Sequence, residues 1–162
     1  MSKIKNVKGR QVFDSRGNPT VEAEITLENG LIGASIVPSG ASTGRYEAHE
    51  LRDNNKDYLN KSVFDAVRNI NNKISKTLIN KDSTHQNEID KILINLDGTE
   101  NKSNIGANAI LAVSIANLKV AAKLTNKEIY KFINNKTHPT FSMPYPLMNI
   151  INGGAHANNS LE

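Results

Sequence analysis

The sequence predicts an α+β domain in which a three-stranded antiparallel meander is followed by a helical bundle. Apolar and polar side chains alternate in the first part of the chain, up to residue 37. After residue 63 the apolar side chains recur at helical spacing, and residues 106–124 are apolar nearly all round. Strands that precede helices in this way are typical of folds whose helices cover one face of a small sheet.

The sheet is expected to consist of three consecutive strands. Residues 4–13 have a β-prone composition, and turn-forming residues dominate the next segment, 14–19. Residues 20–28 alternate strictly between apolar and polar side chains, which is the pattern of a half-buried strand. Asn29-Gly30 predicts a two-residue hairpin turn, because both central positions of such a turn favour positive φ, and residues 31–37 form the return strand.

Helical spacing is clearest in two segments after the sheet. The first is expected to bury a stripe of apolar side chains that lie one turn apart: Val63, Val67, Ile70, Ile74 and Leu78. The second is predicted to begin at a capping box formed by Ser83 and Gln86 and to end at Asp97-Gly98. Its apolar stripe is Ile89, Ile92, Leu93 and Leu96.

Residues 106–124 predict a buried helix, since a helix without a polar face is normally enclosed by protein. Its many alanines would let neighbouring elements approach closely. A short helix is expected near residues 127–135. The next segment, 134–146, contains three prolines and is typical of a linker. An apolar strand ending at Gly153-Gly154 then indicates a second domain that is cut off at the end of the sequence.

Composition limits the classes of function that the chain can serve. The 162 residues include 38% hydrophobic residues, enough for a core, and no cysteine, which excludes disulfides and thiolate metal sites. The net charge of +4 is spread over lysines near carboxylates, so a solvated basic surface is favoured over a direct nucleic-acid site. The N-terminus lacks the apolar segment of a signal peptide, and no apolar run has the length of a membrane span.

The run VPSGASTGRYEA, residues 37–48, joins the predicted third strand to an acidic segment that is expected to be helical. Its centre, Ser39 to Gly44, carries almost no side-chain bulk. On composition alone an ordinary glycine–serine connection is favoured, and a loop that closes over a ligand is the alternative. Gly40 and Gly44 would give such a loop conformational freedom at both ends.

Six segments of the chain together resemble one family, the enolases. They are GRQVFDSRGNPTVE (9–22), VPSGASTG (37–44), EAHELRD (47–53), LDGTENKS (96–103), GANAILAVSIA (106–116) and NIINGGAHA (149–157). Each segment alone is a weak signal, but all six occur in the family's order along the chain. The asparagine and lysine bias favours a bacterial member. The resemblance implies an enolase-like N-terminal domain at 1–135, a linker at 136–145, and the first strand and loop of a TIM-like barrel at 146–162.

The resemblance also implies an activity. Enolases are glycolytic lyases that reversibly dehydrate 2-phosphoglycerate to phosphoenolpyruvate, with Mg²⁺ as cofactor. The family forms homodimers, and octamers in some bacteria, and the expected location is cytoplasmic with a fraction at the cell surface or secreted. Two alternatives remain. One is a non-catalytic interaction module that binds plasminogen or an RNA-degrading assembly, and the other is a member of the wider superfamily that acts on another carboxylate substrate.

Site roles follow from the resemblance residue by residue. It makes the SGAST segment a mobile lid over the substrate, with Ser42 coordinating a second Mg²⁺ and with Gly40 and Ala41 close to the substrate. It assigns His156 to the substrate pocket. The acid glutamate and the base lysine of the family come from later barrel loops, beyond Glu162, so the 162-residue chain alone is expected to have no dehydratase activity.

Other conspicuous residues are expected to serve structure. After Arg52, three positions that are glycine in the family pattern carry other residues: Asn54, Asn60 and Ser62. Asparagine is the residue other than glycine that best tolerates a left-handed backbone. The acidic residues around Arg52 are expected to form a solvated, partly paired helix face: Glu47, Glu50 and Asp53. Dimer contacts are expected for Arg10, Arg16 and Glu22.

Overall fold

The structure is a computed structural model, and it describes residues 1–40, 44–134 and 141–151. Three antiparallel strands lie in the order β1-β2-β3, so the predicted meander is confirmed. The strands are β1 (Ile4–Phe13), β2 (Pro19–Leu27) and β3 (Ile32–Val37). The helices are α1 (Phe64–Asn69), a π-helical turn (Ile70–Ile74), α2 (Ser75–Leu78), α3 (Gln86–Asp97), α4 (Ala107–Leu124) and α5 (Ile129–Ile133).

The turn between β2 and β3 differs from the predicted one. The N–H of Leu27 donates to the carbonyl of Leu31 at 2.9 Å, so three residues form the loop. Gly30 has a φ of +83°, whereas Asn29 does not adopt a positive φ. The turn is therefore a type I turn followed by a left-handed glycine. The two-residue prediction is wrong because the Asn29 side chain accepts the Leu31 N–H at 3.0 Å, an interaction that supports this longer loop.

The first helical segment keeps one face buried because its helix type changes along its length. α1, the π-helical turn and α2 follow one another directly and form one continuous helix. Ile70, Ile74 and Leu78 are fully buried, and they are spaced four residues apart. Because an α-helix has about 3.6 residues per turn, the wider π-helical turn returns these side chains to the same face. The predicted apolar stripe is confirmed at Val63, Ile70, Ile74 and Leu78, whereas Val67 is only half-buried and Ala66 is buried instead.

The second helix ends as predicted but begins differently. Gly98 terminates α3 with a φ of +70°, and no side chain caps the N-terminus of α3. Ser83 lies beside the N-terminal segment, where its N–H donates to the Ser2 carbonyl at 3.0 Å. The Gln86 amide donates to the Ser114 hydroxyl at 3.1 Å. The capping-box prediction is wrong because α3 begins at Gln86 itself, so Ser83 is not its N-cap. The Ser83 hydroxyl has no hydrogen-bond partner among the described residues, and the Gln86 amide donates to Asp90 as well as to Ser114.

The core lies between α4 and the sheet. The inward side chains of β2 are fully buried: Val21, Ala23, Ile25 and Leu27. Burying a side chain of valine or leucine size contributes about 1.5–3 kcal/mol. The backbone of β3 comes closest to α4 at Gly33, where a Cβ atom would lie 2.5 Å from the Ala116 carbonyl oxygen and 2.7 Å from the Val120 nitrogen. The alanine-rich buried helix is thus confirmed, and the close approach requires a glycine on the facing strand.

The expectation that no apolar run has the length of a membrane span needs a correction: within the described residues, α4 alone is long and apolar enough to cross a membrane, judged by length and composition. Half of it is buried inside the domain. The core helix of a folded domain meets the same criteria, and the packing of α4 on the sheet accounts for its apolar composition.

Helix side chains cover both edges of the sheet. At the β3 edge, Lys119 and Lys123 of α4 donate from Nζ to the carbonyls of Ala34 at 3.0 Å and Ile32 at 3.1 Å. At the β1 edge, the Asn71 amide accepts the Gly9 N–H at 2.8 Å and donates to the Gly9 carbonyl at 3.2 Å. Exposed strand edges are templates for pairing with other chains, so these contacts restrict such pairing.

The chain after α5 leaves the domain core. α5 confirms the short helix expected near 127–135, and Phe141 packs edge-on against Tyr130 with ring centroids 5.0 Å apart. Residues 141–151 have no regular secondary structure and their side chains are largely exposed, so no strand forms at 146–151. The assignment of 136–145 to a linker and of 146–162 to a second domain stays a prediction.

Replacing Gly33 by alanine is expected to destabilise the domain by about 1–3 kcal/mol, because the added methyl group overlaps the α4 backbone. Urea denaturation followed by circular dichroism measures the change. Gly44 has no atom within 4 Å of its Cβ position and no positive φ, so Gly44→Ala serves as the control and is expected to change stability by less than about 0.5 kcal/mol. Equal stability of both variants would contradict the close-contact interpretation.

Replacing both Lys119 and Lys123 by methionine is expected to increase self-association, because the outer carbonyls of β3 lose the cations that cover them. Sedimentation velocity over a concentration series measures the effect relative to the unchanged chain. Lys76→Met with Lys91→Met removes the same charge from exposed helix positions and is the matched control. If both double variants associate equally, loss of charge alone explains the effect and the edge interpretation is wrong.

Candidate functional site

The predicted site residues lie in and around the small-residue loop, and only part of that loop belongs to the described structure. Gly40 is described, whereas Ala41, Ser42 and His156 lie outside the described residues. The structure therefore defines the two ends of the loop, which we call the loop stem: residues 37–40 on the entry side and residues 44–53 on the exit side.

The entry side is held by the turn between β1 and β2. Thr20 donates its hydroxyl to the carbonyl of Val37, where β3 ends. Two residues later, the Ser39 carbonyl accepts a hydrogen bond of 2.8 Å from the Arg16 guanidinium. The Asp14 carboxylate holds this turn by accepting the N–H groups of Asn18 at 2.8 Å and Arg16 at 2.9 Å. These bonds, led by the one from Asn18, hold the pKa of Asp14 below its usual value.

The Ser39 side chain joins the entry side to the exit side. Its hydroxyl donates to the Glu50 carboxylate at 2.5 Å and accepts a hydrogen bond from the Arg52 guanidinium. Arg52 also pairs with Glu50 at 2.7 Å and donates to the Pro19 carbonyl at 2.9 Å and to the Lys61 carbonyl. One guanidinium thus contacts both ends of the loop stem, the start of β2 and the chain at residue 61.

A cleft of about 320 Å³ opens at this stem. Its lining residues are Arg16, Asn18, Ser39, Gly40, Glu50, Arg52 and Lys61. Three cationic side chains against one carboxylate make the cleft positively charged. A concave cationic surface of this kind raises the local concentration of anionic ligands.

The exit side is not the helix that the sequence predicted. The Gly44 N–H donates to the Glu47 carboxylate at 2.8 Å, and residues 47–53 then run without regular structure. The His49 backbone instead pairs with the start of α4, since its carbonyl accepts the Ala107 N–H at 2.8 Å. Leu51 is held by the Asn108 amide, which accepts its N–H at 3.2 Å and donates to its carbonyl at 3.0 Å. These tertiary bonds replace helical ones, so the prediction of a solvated helix face is wrong.

Asp53 has a structural role that sequence reasoning missed. Its side chain is buried and accepts the Ser62 hydroxyl at 2.7 Å and the N–H groups of Phe64 at 2.8 Å and Asp65 at 2.7 Å. It thereby caps the N-terminus of α1 from outside the helix. A local cap would precede the helix by a few residues, whereas Asp53 lies eleven residues before Phe64, so no local pattern could have revealed it.

The substituted glycine positions behave partly as predicted. Asn60 adopts a φ of +62°, which confirms a left-handed backbone there, whereas Asn54 and Ser62 do not have positive φ. Tyr58 and Leu59 are also left-handed, with φ values of +50° and +59°. Three such residues in succession form a strained turn, since residues other than glycine rarely adopt this conformation.

The residues expected at a dimer contact have partners within the chain. Arg10 pairs with Glu22 at 2.5 Å and with Glu24 at 2.8 Å on the sheet face that points away from α4. Hydrogen bonds to Glu24 and Glu22 raise the pKa of Arg10. Arg16 contacts the loop stem through the Ser39 carbonyl. A dimer role for these residues stays a prediction.

The described residues do not form a metal site by themselves. No group of three or more histidine, cysteine, aspartate or glutamate side chains in this part of the chain could hold a metal ion. The two glutamates nearest the loop are engaged, Glu47 with Gly44 and Glu50 with Ser39 and Arg52. The hydroxyl that the resemblance assigns to Mg²⁺ belongs to Ser42, outside the described residues.

Fold and site together define a class of protein: an α+β domain whose three-stranded sheet presents a glycine- and serine-rich loop beside a cationic cleft. Residues 4–133 match the family model described as "Enolase, N-terminal domain". Because the match covers most of the chain, the chain belongs to the enolase N-terminal domain family. The resemblance is confirmed for the five segments that lie within residues 4–133, and the family indicates an enolase-type function. The segment at 149–157 lies outside the match, and the bacterial origin stays a prediction.

Asp53→Ala is expected to destabilise the chain by about 1–3 kcal/mol, because it leaves two backbone N–H groups at the start of α1 without their side-chain acceptor. Urea denaturation measures the loss. Asp57→Ala in the same segment is the control, since Asp57 is exposed and contacts Asn55. A loss at Asp53 no larger than the loss at Asp57 would refute the capping role.

Proposed function

We propose that the protein to which this chain belongs is a magnesium-dependent lyase that reversibly dehydrates 2-phosphoglycerate to phosphoenolpyruvate. The observation that carries the proposal is the family match over residues 4–133. The cationic cleft at the loop stem supports it, because both the substrate and the product are phosphorylated carboxylates that carry several negative charges.

In this proposal the chain contributes the loop that covers the substrate. Ser39 and Gly40 fix where the loop begins, Gly40 and Ala41 lie close to the substrate, and Ser42 supplies a hydroxyl oxygen to a bound Mg²⁺. A serine hydroxyl suits this role, since Mg²⁺ prefers oxygen ligands. The bound ion supplies stabilisation of the negative charge that develops on the substrate carboxylate when the C2 proton is lost.

The remaining groups come from outside these residues. We propose that His156 faces the substrate and that the base lysine, the acid glutamate and the carboxylate ligands of the metal belong to a longer protein. The 162-residue chain alone is then inactive. A homodimer or an octamer built from it, and a cytoplasmic location with a surface or secreted fraction, belong to the same proposal.

The proposal is tested by following phosphoenolpyruvate formation from 2-phosphoglycerate and Mg²⁺. The longer protein is expected to turn over, whereas the 162-residue chain is not, because it lacks the proton-transferring residues. In the longer protein, Ser42→Ala is expected to raise the Mg²⁺ concentration that gives half-maximal rate by about tenfold or more, since one oxygen ligand is lost.

Ser15→Ala is the matched control, because Ser15 lies exposed in the turn between β1 and β2. Absence of turnover in the longer protein would refute the proposed reaction. Turnover by the 162-residue chain would refute the proposed division of residues. An unchanged Mg²⁺ requirement in Ser42→Ala would refute the role of Ser42 alone.

A further inference from the structure

We propose that Arg52 is a positioning residue that fixes Ser39, and through Ser39 the point at which the chain leaves the sheet for the loop. The functional value of this role rests on the proposed lyase function. The structural part concerns only described residues and stands on their contacts.

Arg52 is placed by the fold to reach several segments at once. Its guanidinium contacts the Ser39 hydroxyl and the Glu50 carboxylate on one side and the carbonyls of Pro19 and Lys61 on the other. The Arg52 side chain is only 21% exposed. A planar guanidinium presents five donors in a fixed geometry, so it satisfies these acceptors together and holds them in one arrangement.

Ser39 is the residue through which this arrangement acts on the loop. Its hydroxyl lies between Arg52 and Glu50, and its carbonyl is held separately by Arg16 at 2.8 Å. The backbone of Ser39 therefore cannot rotate without breaking a hydrogen bond to a charged group. Such bonds are roughly twice as strong as neutral ones, so Gly40 begins from a fixed position.

The same guanidinium links the loop stem to the strained turn. Lys61, whose carbonyl Arg52 holds, directly follows the left-handed residues Tyr58, Leu59 and Asn60. Strained conformations persist only where the surrounding structure enforces them. Removal of Arg52 should therefore loosen two places distant in sequence, Ser39 and Lys61, at the same time.

A purely structural arginine would have a different signature. If Arg52 only added stability, its loss would lower the free energy of unfolding and leave the native backbone dynamics of residues 39–40 unchanged. A local readout in the folded chain separates the two cases. An arginine-to-lysine substitution makes the test more specific. Lysine keeps the positive charge, but its ammonium group lacks the planar set of donors that lets the guanidinium bond to all these acceptors at once.

The experiment measures backbone ¹⁵N order parameters of the 162-residue chain by NMR, without metal or substrate. In the unchanged chain Ser39 and Gly40 are expected near the rigid value of about 0.85, and in Arg52→Met and Arg52→Lys below about 0.6. Lys61 is expected to change with them, whereas core amides such as those of Ile25 and Val113 are not. Arg68→Met removes an exposed arginine that pairs only with Asp65 among the described residues, and is expected to change none of these values.

Ser39→Ala keeps the test decisive if the Arg52 variants fail to fold. It removes the hydroxyl between Arg52 and Glu50 and is expected to loosen the backbone at positions 39 and 40 but not at Lys61. The proposal would be overturned if the order parameters of residues 39 and 40 stayed at the rigid value in Arg52→Met. If the arginine variants do not fold, rigid order parameters at these residues in Ser39→Ala would overturn it. Because no activity is measured, this failure would leave the lyase proposal intact, and failure of the activity assay would leave the positioning result intact.

Discussion

The close contact of β3 with α4 at Gly33 is the constraint on which the rest of the structure depends. Because no side chain intervenes, the helix backbone lies against the strand, and α4 acquires a fixed position over the sheet. Its N-terminus then meets the exit side of the loop stem. Gly106, with a φ of +97°, lets Leu51 approach to within 2.6 Å of a Cβ position, and Asn108 binds the Leu51 backbone at both polar groups. A contact in the core thus determines where the segment containing Arg52 lies.

From that segment, two neighbouring residues act in different directions. Arg52 contacts Ser39 on the entry side of the loop stem and the start of β2, whereas Asp53 caps the N-terminus of α1. The sheet, the first helix and the loop stem therefore share one short irregular stretch of chain. Such a stretch is ordered by side-chain hydrogen bonds over long sequence distances, and it would have no reason to be rigid if those partners were removed.

The division between what the sequence predicts and what it does not follows the range of the interactions. The strands and helices are set by local periodicity, and Val21 to Leu27 or Ile70 to Leu78 can be assigned from spacing alone. Ser83 and Gln86 carry the local pattern of a capping box, yet Gln86 donates to Ser114 on α4 and the Ser83 hydroxyl caps no described N–H group. Arg52 bonds to a carbonyl 33 residues away, and the Leu51–Asn108 contact spans 57 residues, so neither can be read from a window of sequence. The roles of Ser42 and His156 came only from family resemblance and stay predictions.

The charges at the loop stem divide into two kinds by exposure. Arg52 is largely enclosed, and its hydrogen-bonding groups are directed at protein acceptors, so it contributes order more than attraction. Arg16 has a side chain that is 50% exposed, and Lys61 is exposed while it donates to Asn18 at 2.9 Å. These two cations face solvent across the cleft and remain able to attract an anion, although salt weakens such exposed charges. Arg52 therefore serves positioning, Lys61 serves attraction, and Arg16 serves both because it also holds the Ser39 carbonyl. A change at Arg52 alters the geometry of the stem while most of the solvent-facing positive charge beside it remains.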